Sequence, residues 1–432
     1  MLRTLSLATI LTISLSALGQ SADTLRIMHY NLLNYRNITA QCTESTNKAD
    51  DKDGYLSEIT GYVKPDVLTV NEMGANWLNP NKILKNALNT NGVTHFDQAE
   101  FTNNGFSSLT NMLFFNTEKL SLYQQDAIEK DLSGDDLVRV IDIYTLYYSN
   151  DPDLQKGDTT FLSLVVAHLK AGSTSADKTE RAKMTAALMD YLDKNKKAHS
   201  YIMCGDFNIQ TATEDCYQNL TQHSNANVRF FDPVDAPGSW NNKQDFANLH
   251  TQSTHVSDTR GGCFSGGGMD DRFDFILCGK EVMDNTYNVR YIDGTYRALG
   301  QDSRRFNGDV LSPLNSMVPN KIANALYDMS DHLPVIMEVA VKKNKSGMQP
   351  QTYSQRPMVT YPDNQQVKIS SYQLMTRVVI MNMNGVEIME VANPEASTEI
   401  TFRSDGLPSG VYLVEIQTID HQRLITKIVN AQ

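Results

Sequence analysis

Six short apolar stretches of this chain end at, or carry, a side chain that can bind a metal ion or a phosphate group. These side chains are Asn31, Glu72, His168, Asp206 with Asn208, Asp274, and Asp331 with His332. Carboxylates bind divalent cations through oxygen, and carboxylates and imidazoles accept or donate protons near neutral pH. One such group after a buried strand is ordinary, but their agreement along one chain predicts metal-assisted hydrolysis of a phosphoester.

Glu72 closes an apolar run that begins at Val67 and is the first metal ligand that the sequence suggests. Mg²⁺ takes oxygen ligands and keeps several waters, so one or two carboxylates can hold it. We therefore expect Mg²⁺ as the cofactor, with Mn²⁺ or Ca²⁺ as substitutes. A solvated glutamate at a strand end would be the better interpretation if the residue stood alone.

Asp206 and Asn208 stand two residues apart in Gly-Asp-Phe-Asn, so an extended chain places both side chains on one face. The carboxylate can take a proton from water while the amide orients that water or holds the phosphate. The alternative is an Asx turn in which Asp206 only closes the loop, and this alternative is common for any Asp-x-Asn.

Asp274 lies inside the apolar stretch 273–276, and a carboxylate buried there needs a partner. A histidine is the expected partner, and His332, which follows Asp331, can be oriented by such a pair. A purely structural hydrogen bond between the two is the alternative. His168 follows a Val-Val-Ala run and, by itself, would more often be a histidine satisfied within the core.

The elements that must position these groups are short β-branched or aromatic runs with few helices between them. Predicted strands cover residues 24–31, 67–72, 109–115, 138–147, 161–168, 200–206, 273–278 and 333–341. Helices are predicted over 179–197, capped by Asp177 or Thr179, and over 81–88. Since strands outnumber helices and their order is mixed, we expect a layered α/β sandwich rather than a repeated βαβ unit.

The first residues predict export from the cytoplasm. Arg3, an apolar run over 5–18 and small residues near Gly19 are typical of a secretory signal peptide, here residues 1–20. A membrane anchor is the weaker alternative, because the run is short for a span of about 20 residues. We expect no transmembrane segment elsewhere.

Net charge and the positions of the cysteines limit the possible functions and the possible disulfides. A net charge of −12 opposes a protein that captures nucleic acid by charge alone, although bound cations can offset carboxylates in a hydrolase. Cys204 and Cys278 lie in apolar strand patterns and are expected as buried thiols. Export permits a disulfide among Cys42, Cys216 and Cys263, which lie in loop-like sequence, but the sequence does not identify the partners.

Composition divides the mature chain into three regions. Residues 23–342 carry all the chemical groups and are expected to form the catalytic domain. Residues 343–366 are rich in Gln, Pro, Ser and Thr and predict a linker. Residues 367–432 predict a small all-β sandwich, with a hairpin turn at Asn384-Gly385 and strands over 378–383, 386–391, 400–402, 410–417 and 424–429.

The ordered motifs of residues 25–340 resemble those of the endonuclease/exonuclease/phosphatase superfamily. The matching stretches are Tyr30-Asn31, Asn71-Glu72, His168-Leu169-Lys170, Gly205-Asp206-Phe207-Asn208, Arg272-Phe273-Asp274-Phe275 and Ser330-Asp331-His332. The resemblance implies a four-layer α/β sandwich of two packed mixed sheets, followed here by the all-β domain. It also implies that Asn31 and Glu72 hold metal and phosphate, with Asp331 as a further metal ligand.

The same resemblance implies catalytic roles. Asp206 and Asn208 would activate and orient water, and His168 would stand near the leaving oxygen. Asp274 and His332 would form an acid–imidazole pair that faces the phosphoryl centre. The resemblance leaves open whether His332 is the base or a stabiliser of charge.

Within the superfamily, the stretch from His29 to Tyr35 and the insert from Leu299 to Tyr327 are most similar to secreted bacterial nucleases. Five residues are predicted to contact the substrate: Asn34, Lys170, Arg297, Arg304 and Arg305. Arginines can hold flanking phosphates through paired hydrogen bonds. A solvated charged loop explains the three arginines about as well.

The segment 386–429 resembles the C-terminal sorting domain of the type IX secretion system. The matching residues are Asn384-Gly385, 407–414 and 426–429. The opening Tyr361-Pro362-Asp363-Asn364 departs from the usual Tyr-Pro-Asn-Pro. The resemblance implies contact with secretion machinery and a secreted or cell-surface protein. A carbohydrate-binding or adhesive module is the alternative, and it would need more exposed aromatic residues than Tyr372 and Tyr412.

These observations predict a secreted, Mg²⁺-dependent phosphodiesterase, a monomer that cleaves nucleic acid, with DNA as the expected polymer. The alternatives are a lipid phosphodiesterase of the sphingomyelinase type, a sugar-phosphate phosphatase, and a surface protein that kept the fold without activity. A lipid enzyme should expose an apolar hairpin, yet the loop 222–262 is mostly polar despite Trp240. The motifs of serine hydrolases and P-loop proteins do not occur.

Overall fold

The computed structural model describes residues 22–102, 107–150, 159–342, 357–363, 366–382, 386–418 and 423–430. The predicted signal peptide and the predicted turn at Asn384-Gly385 lie outside these residues. The chain divides into two compact units, Met1–Pro350 and Gln351–Gln432, so the division falls inside the segment predicted as a linker. The exact domain bounds stay a prediction.

The described part of the first unit contains thirteen strands and six helices. The strands are β1 (Ala22–Tyr35), β2 (Val67–Gly74), β3 (Phe96–Gln98), β4 (Leu109–Asn116), β5 (Leu120–Lys130), β6 (Asp136–Tyr148), β7 (Phe161–His168), β8 (Ser200–Asp206), β9 (Phe230–Phe231), β10 (Asp274–Gly279), β11 (Val289–Tyr291), β12 (Arg297–Ala298) and β13 (Val335–Lys342). The helices are α1 (Ala49–Val63), α2 (Asn79–Ile83, continued by a π turn over Leu84–Leu88), α3 (Ser175–Asn195), α4 (Asp215–Thr221), α5 (Lys280–Met283) and α6 (Asn320–Met329).

The strands form two mixed sheets. One has the order β11-β13-β1-β2-β4-β3, with β12 also paired to β13, and the other has the order β5-β6-β7-β8-β10-β9. Among the described strands, β1–β2 and β7–β8 pair in parallel, and the other pairs of these sheets are antiparallel. The predicted α/β sandwich of two packed mixed sheets is confirmed.

Alternation of apolar residues along the central strands explains the layers. In β8, Ile202 and Cys204 belong to the core between the sheets, which also contains Leu68 of β2. Met203, on the opposite face of the same strand, packs with Leu188 of α3 in a second core. Both faces of β8 are therefore covered, which is why its sequence is apolar at almost every position.

Helix α3 begins earlier than its apolar pattern predicts. Thr174 accepts a hydrogen bond from the backbone N–H of Asp177, and the Asp177 carboxylate accepts one from the backbone N–H of Thr174. This reciprocal capping box fixes the start at Ser175. Helix α1 was not predicted because Lys52 and Asp53 occupy buried positions on its inner face.

The second unit is all β. Its strands are β14 (Met358–Asp363), β15 (Gln366–Met381), β16 (Glu387–Arg403), β17 (Gly410–Thr418) and β18 (Arg423–Asn430), which form one antiparallel sheet in the order β14-β15-β17-β18, with β16 on β15. Two predictions differ from this structure. Strand β14 lies in the segment predicted as a linker, and residues 400–402 are the end of the long strand β16 rather than a separate strand.

In the part of the chain that the structure describes, none of the helices combines the length and the apolar character that crossing a membrane requires.

A disulfide joins Cys42 to Cys263, 221 residues apart in sequence, and packs against Leu33 and Phe264. The sequence had left this pairing open. Cys216 is a buried free thiol on α4 rather than a loop residue. The bridge ties the segment after β1 to the loop before β10.

Cys204 and Cys278 are buried free thiols, as expected.

Replacing both Cys42 and Cys263 by serine is expected to lower the free energy of unfolding by up to about 5 kcal/mol, because the bridge closes a long loop in the unfolded chain. Chemical denaturation of the oxidised protein and the double variant measures this difference. Reductant should lower the midpoint of the wild type and leave the variant unchanged. Equal midpoints for the oxidised wild type and the variant would contradict the bridge.

Candidate active site

Three neighbouring strands of the six-stranded sheet carry polar residues at the same level. His168 ends β7 and is registered opposite Asp206 at the end of the parallel strand β8. Asp206 is in turn opposite Asp274 at the start of the antiparallel strand β10. In the other sheet, Asn31 of β1 is registered opposite Asn71 of β2. Strand pairing alone thus brings distant parts of the sequence together.

The carboxylate of Asp206 lies at the centre of this group. Its Oδ2 accepts a hydrogen bond from Asn31 Nδ2 at 3.0 Å. The same oxygen lies 3.5 Å from His168 Nε2 and 3.9 Å from His332 Nε2. Its Oδ1 accepts the backbone N–H of Asn208 at 3.0 Å. The Asx turn considered above is therefore present, yet it uses Oδ1 alone and leaves Oδ2 facing the other groups.

Burial is the main reason why the pKa of Asp206 is raised to about 7. Protonated His332 acts to lower this pKa, and the carboxylates of Asp274 and Glu72 act to raise it further. Crowding of negative charge in a buried place disfavours the ionised form, and a divalent cation would favour it. The electrostatic environment of Asp206 therefore fits a bound cation.

Glu72 approaches from the other sheet in a left-handed backbone conformation, with a φ of 56°. Its Oε1 accepts a hydrogen bond from Asn31 Nδ2 at 3.1 Å, and its Oε2 accepts the backbone N–H of Asn34 at 3.0 Å. Such a conformation is strained for a residue other than glycine and persists where surrounding contacts hold it. The amide of Asn31 thus bridges the carboxylates of Glu72 and Asp206.

Three of these side chains could hold a metal ion together. Glu72, His168 and Asp206 each offer one ligand atom, and these atoms all lie within 4.8 Å of one another. Carboxylate oxygens suit Mg²⁺ and Mn²⁺, and an imidazole nitrogen is a ligand for several divalent metals. The structure thus groups Glu72 with two residues that were predicted to be catalytic, and Asn31 contacts two members of the group.

Asp331, also predicted to bind metal, lies outside that group. Its Oδ2 accepts hydrogen bonds from the backbone N–H of Ser265 at 3.1 Å and from Gln252 Nε2 at 3.3 Å. Its Oδ1 is buried without a hydrogen-bond partner among the described residues, 4.0 Å from His332 Nε2. A buried carboxylate oxygen without a partner is costly, so Asp331 fits a role beside a cation or a protonated imidazole.

The structure brings Asp274 and His332 together, as predicted. Asp274 Oδ2 lies 2.8 Å from His332 Nδ1, and the Gln252 side-chain amide lies 2.9 Å from His332 Nε2. Burial acts to lower the pKa of His332, but the charges of Asp274, Asp206 and Asp331 outweigh it and hold this pKa well above its usual range. These carboxylates therefore favour the protonated form of the His332 imidazole.

His168 has the opposite charge state. Burial, assisted by the nearby Arg139 guanidinium, holds its pKa well below the usual range, so the imidazole is neutral. Arg139 is half-buried on β6 and donates a hydrogen bond to the Leu169 carbonyl oxygen at 2.9 Å. Sequence reasoning missed Arg139. The available signal was that it is the one basic residue in the predicted strand 138–147.

A buried chain of side-chain hydrogen bonds links the two sheets beneath the site, and it too was missed. Asn71 Oδ1 accepts the backbone N–H of Asp206 at 2.9 Å, and Asn71 Nδ2 donates to Asn111 Oδ1 at 2.7 Å. Asn111 Nδ2 donates to Asp142 Oδ2 at 2.9 Å. Burial raises the pKa of Asp142 to about 6. Asn111 and Asp142 lie inside strands. Nothing in the sequence distinguishes such buried polar residues from polar residues that face solvent.

Lys52 of α1 supports the turn that follows Asn31. Its side chain is buried, and Nζ donates to the carbonyl oxygens of Leu32 at 2.8 Å and Leu33 at 2.6 Å. These bonds satisfy backbone groups where the chain turns into the left-handed region at Leu33 and Asn34. This support was also missed, because α1 itself was missed.

The residues predicted to contact substrate differ in their contacts and in their exposure to solvent. Asn34 contacts Glu72 through its backbone. Lys170 forms an ion pair with Asp177 at 2.7 Å, and Arg297 donates to the Thr295 carbonyl oxygen at 3.0 Å. The Arg304 side chain is exposed. Of these residues, the structure places Asn34 in direct contact with the group around Asp206.

Arg305 is 0% exposed and belongs to the internal framework of the insert. Its guanidinium forms a paired contact with Asp302, with Nε–Oδ1 at 2.8 Å and Nη2–Oδ2 at 3.0 Å, and also donates to the carbonyl oxygen of Pro313. Burial acts to raise the pKa of Asp302, but hydrogen bonds from Arg305 and Ser316 outweigh it and hold this pKa well below its usual range. The Arg305 guanidinium is thus bound within the insert rather than exposed to solvent.

Comparison with known proteins bears on each unit. Residues 361–430 match the family described as Secretion system C-terminal sorting domain, in agreement with the predicted resemblance. No curated protein matches the chain.

Solved structures similar to this chain include the human Nocturnin catalytic domain with bound sulfate, an endonuclease/exonuclease/phosphatase family protein from Bacteroides thetaiotaomicron, and a mannosyl-6-phosphatase from the same species. Their sequence identities are 16%, 15% and 15%, and they cover 74%, 74% and 73% of this chain. The matches cover 97%, 99% and 99% of those chains, with TM-scores of 0.46, 0.45 and 0.43.

Replacing Arg305 by alanine is expected to lower the free energy of unfolding by about 3–5 kcal/mol, because the buried Asp302 carboxylate loses its paired guanidinium and keeps only its hydrogen bonds from Ser316 and the Arg304 backbone. The same change at exposed Arg304 should alter it by less than about 0.5 kcal/mol. Urea unfolding at pH 7 measures both.

The pH dependence of the unfolding free energy provides a second test of the Arg305–Asp302 pair. Because the folded pKa of Asp302 is depressed, its stabilisation is present above the ordinary aspartate pKa and is lost as the pH falls below about 4. The difference in unfolding free energy between wild type and Arg305→Ala should therefore shrink in acid. An unchanged difference at pH 2.5 would contradict this assignment.

Proposed function

We propose that this protein is a secreted phosphodiesterase that depends on a divalent cation and hydrolyses nucleic acid. The observation that carries the proposal is the convergence on one oxygen, Asp206 Oδ2, of the Asn31 amide and the imidazoles of His168 and His332. Glu72 lies on the other side of the same amide. Acid, amide and imidazole groups so close together suit the attack of water on a phosphoester.

Glu72 is the proposed principal ligand of the cation, with Asn31 and Asp331 as supporting residues and Mg²⁺ as the expected ion. A divalent cation at this place would neutralise negative charge on the phosphate during hydrolysis. The donor set fits such an ion, because its carboxylates are close together and a Glu72 oxygen lies within 4.8 Å of ligand atoms of His168 and Asp206.

Asp206 is the proposed base. Its Oδ2 is free of the turn contact made by Oδ1, and a cation beside it would favour the ionised carboxylate, which can accept a proton from water. Asn208, whose backbone holds Oδ1, would orient the water or the phosphate with its side chain. The proton passes from water to Asp206 as the water oxygen bonds to phosphorus. The bond between phosphorus and the leaving oxygen breaks, and the leaving oxygen takes a proton from solvent.

His332 is the proposed stabiliser of charge on the phosphate oxygens. Its pKa is raised, so it is already protonated and is unsuited to be the base, and Asp274 holds its ring in place. Neutral His168 and the nearby Arg139 would contact the phosphate or the leaving oxygen. The sequence leaves open whether His332 is the base or a stabiliser of charge, and we propose the second role.

The choice of nucleic acid rests on the sequence resemblance of residues 29–35 and 299–327 to secreted bacterial nucleases, and DNA is the expected polymer. Lys170, Arg297 and Arg304 remain proposed phosphate contacts at the rim. The proposed route of export combines the signal peptide 1–20 with the C-terminal sorting domain, and the protein would act outside the cell or on its surface.

Adding Mg²⁺ or Mn²⁺ is expected to raise the melting temperature by roughly 5 °C at a concentration of about 100 times the dissociation constant, because the ion binds the folded state. Thermal unfolding with and without chelator measures the shift. Glu72→Gln should abolish it. The matched control is Glu58→Gln on α1, whose carboxylate pairs with Lys321 at 3.1 Å, and this variant should keep the shift.

Asp206→Asn is expected to reduce hydrolysis by at least about 10²-fold while preserving the fold, because the amide cannot accept the proton from water. The test compares duplex DNA, single-stranded DNA, RNA and sphingomyelin as substrates, with Mg²⁺ and with chelator. Asp190→Asn, at a surface pair with Lys194, is the control. Cleavage of lipid alone would contradict nucleic acid as the substrate. An active Asp206→Asn variant would contradict Asp206 as the base.

A further inference from the structure

Trp77 is the most exposed aromatic side chain among the described residues, at 66%. The chain has two tryptophans, and the other, Trp240, is fully buried in the core of the first unit. Exposing a large aromatic ring to water forgoes its hydrophobic burial, and a ring that stays exposed can stack against another aromatic ring.

The backbone holds Trp77 in a defined position. Asn76 N–H donates to the Gly74 carbonyl oxygen at 2.7 Å, and Asn79 Nδ2 donates to the same oxygen at 2.9 Å. Leu78 N–H donates to Asn76 Oδ1 at 3.0 Å. These bonds close an Asx turn around Trp77. The ring is therefore presented by an ordered turn, which reduces the entropy lost when a ligand binds.

This turn is continuous with the candidate active site. It follows β2, five residues after Glu72, so the two α-carbons are separated by at most roughly 18 Å. The Gly74 α-carbon lies tightly against the Arg36 carbonyl oxygen, since an added Cβ would come within 2.6 Å of it. The turn thus contacts the loop that follows Asn34, whose backbone N–H binds Glu72.

We propose that Trp77 is a stacking platform for a base of single-stranded nucleic acid whose phosphate occupies the site at Glu72 and Asp206. The inference rests on the proposed function and deepens it, because it names the form of the polymer and a residue that selects it. At about 3.4 Å per nucleotide along a strand, the platform would receive a base within roughly five nucleotides of the cleaved bond.

The surroundings of Trp77 favour a base over a lipid surface. Two other exposed apolar side chains lie in these two loops. Leu78, at 45%, directly follows Trp77, and Ile38, at 66%, is preceded by the polar residue Asn37. A bilayer contact needs a continuous apolar face. A single ring suits one base, whose stacking tolerates any sequence and combines with cations along the backbone. Exposed Lys82, on α2 after the turn, could supply such a cation.

The full-length chain offers a direct optical test, because Trp240 is buried and Trp77 is exposed. In chelator, which prevents turnover, a single-stranded oligonucleotide should quench the Trp77 fluorescence. An abasic oligonucleotide of the same length keeps the phosphates and removes the rings, so it should bind roughly 5- to 100-fold more weakly. Trp77→Phe supplies the background emission of Trp240.

Substitutions separate stacking from apolar contact, with binding measured by fluorescence anisotropy of labelled oligonucleotides. Trp77→Phe should keep the preference for the base-bearing oligonucleotide, whereas Trp77→Ala and Trp77→Leu should abolish it. An unchanged preference in Trp77→Ala would overturn the platform. A blue shift of Trp77 on sphingomyelin and phosphatidylcholine vesicles, with vesicle binding kept in Trp77→Leu, would also overturn it and identify a lipid surface.

Turnover with Mg²⁺ distinguishes this inference from the proposed function. Trp77→Ala should raise the KM for single-stranded oligonucleotides, with little change in kcat, and leave the kinetics on an abasic oligonucleotide unchanged. Wild-type turnover of nucleic acid with no effect of Trp77→Ala would overturn the platform and leave the proposed function intact. A wild type that hydrolyses no nucleic acid would overturn the proposed function and this inference with it.

Discussion

The requirement that a buried carboxylate be matched by polar groups organises this structure. Asp206 is 2% exposed, and each group around it is placed by a different part of the fold. The parallel pairing of β7 with β8 places His168 beside it, and the antiparallel pairing with β10 places Asp274. Asn31 reaches it from the facing sheet. The two packed sheets therefore bring these polar groups together at one edge. The same packing determines the protonation states of Asp206 and the two histidines.

Residues at strand ends could be predicted, because a polar group that closes an apolar run has a clear sequence signal. Asn31, Glu72, His168, Asp206 and Asp274 are of this kind. His168 and Asp206 end the buried strands β7 and β8, and Asp274 begins β10, whereas Asn31 and Glu72 lie within the longer strands β1 and β2. Motif order then indicated that they share a site. The strand pattern predicts a layered α/β sandwich, and the resemblance to the superfamily implies its two packed sheets.

The supporting residues could not be predicted in this way. Arg139 and Asp142 lie inside a strand, where a polar residue normally faces solvent. The partner of Arg139 lies in the turn after His168, and the partner of Asp142 lies in the second sheet. Gln252 lies in a polar loop without periodicity. The Cys42–Cys263 bridge depends on loop positions, which sequence spacing does not specify. Arg305 and Arg304 are adjacent and identical in type, and only the three-dimensional insert separates the buried one from the exposed one.

The central claim is that Glu72, with the buried carboxylate of Asp206 beside it, creates a place for one divalent cation. The most direct measurement is anomalous scattering from crystals of the protein soaked in Mn²⁺. We expect a peak at about 2.2 Å from a Glu72 carboxylate oxygen, in the space bounded by Glu72, His168 and Asp206. An absent peak there in an enzyme that Mn²⁺ activates, or a peak at a separate cluster, would contradict it.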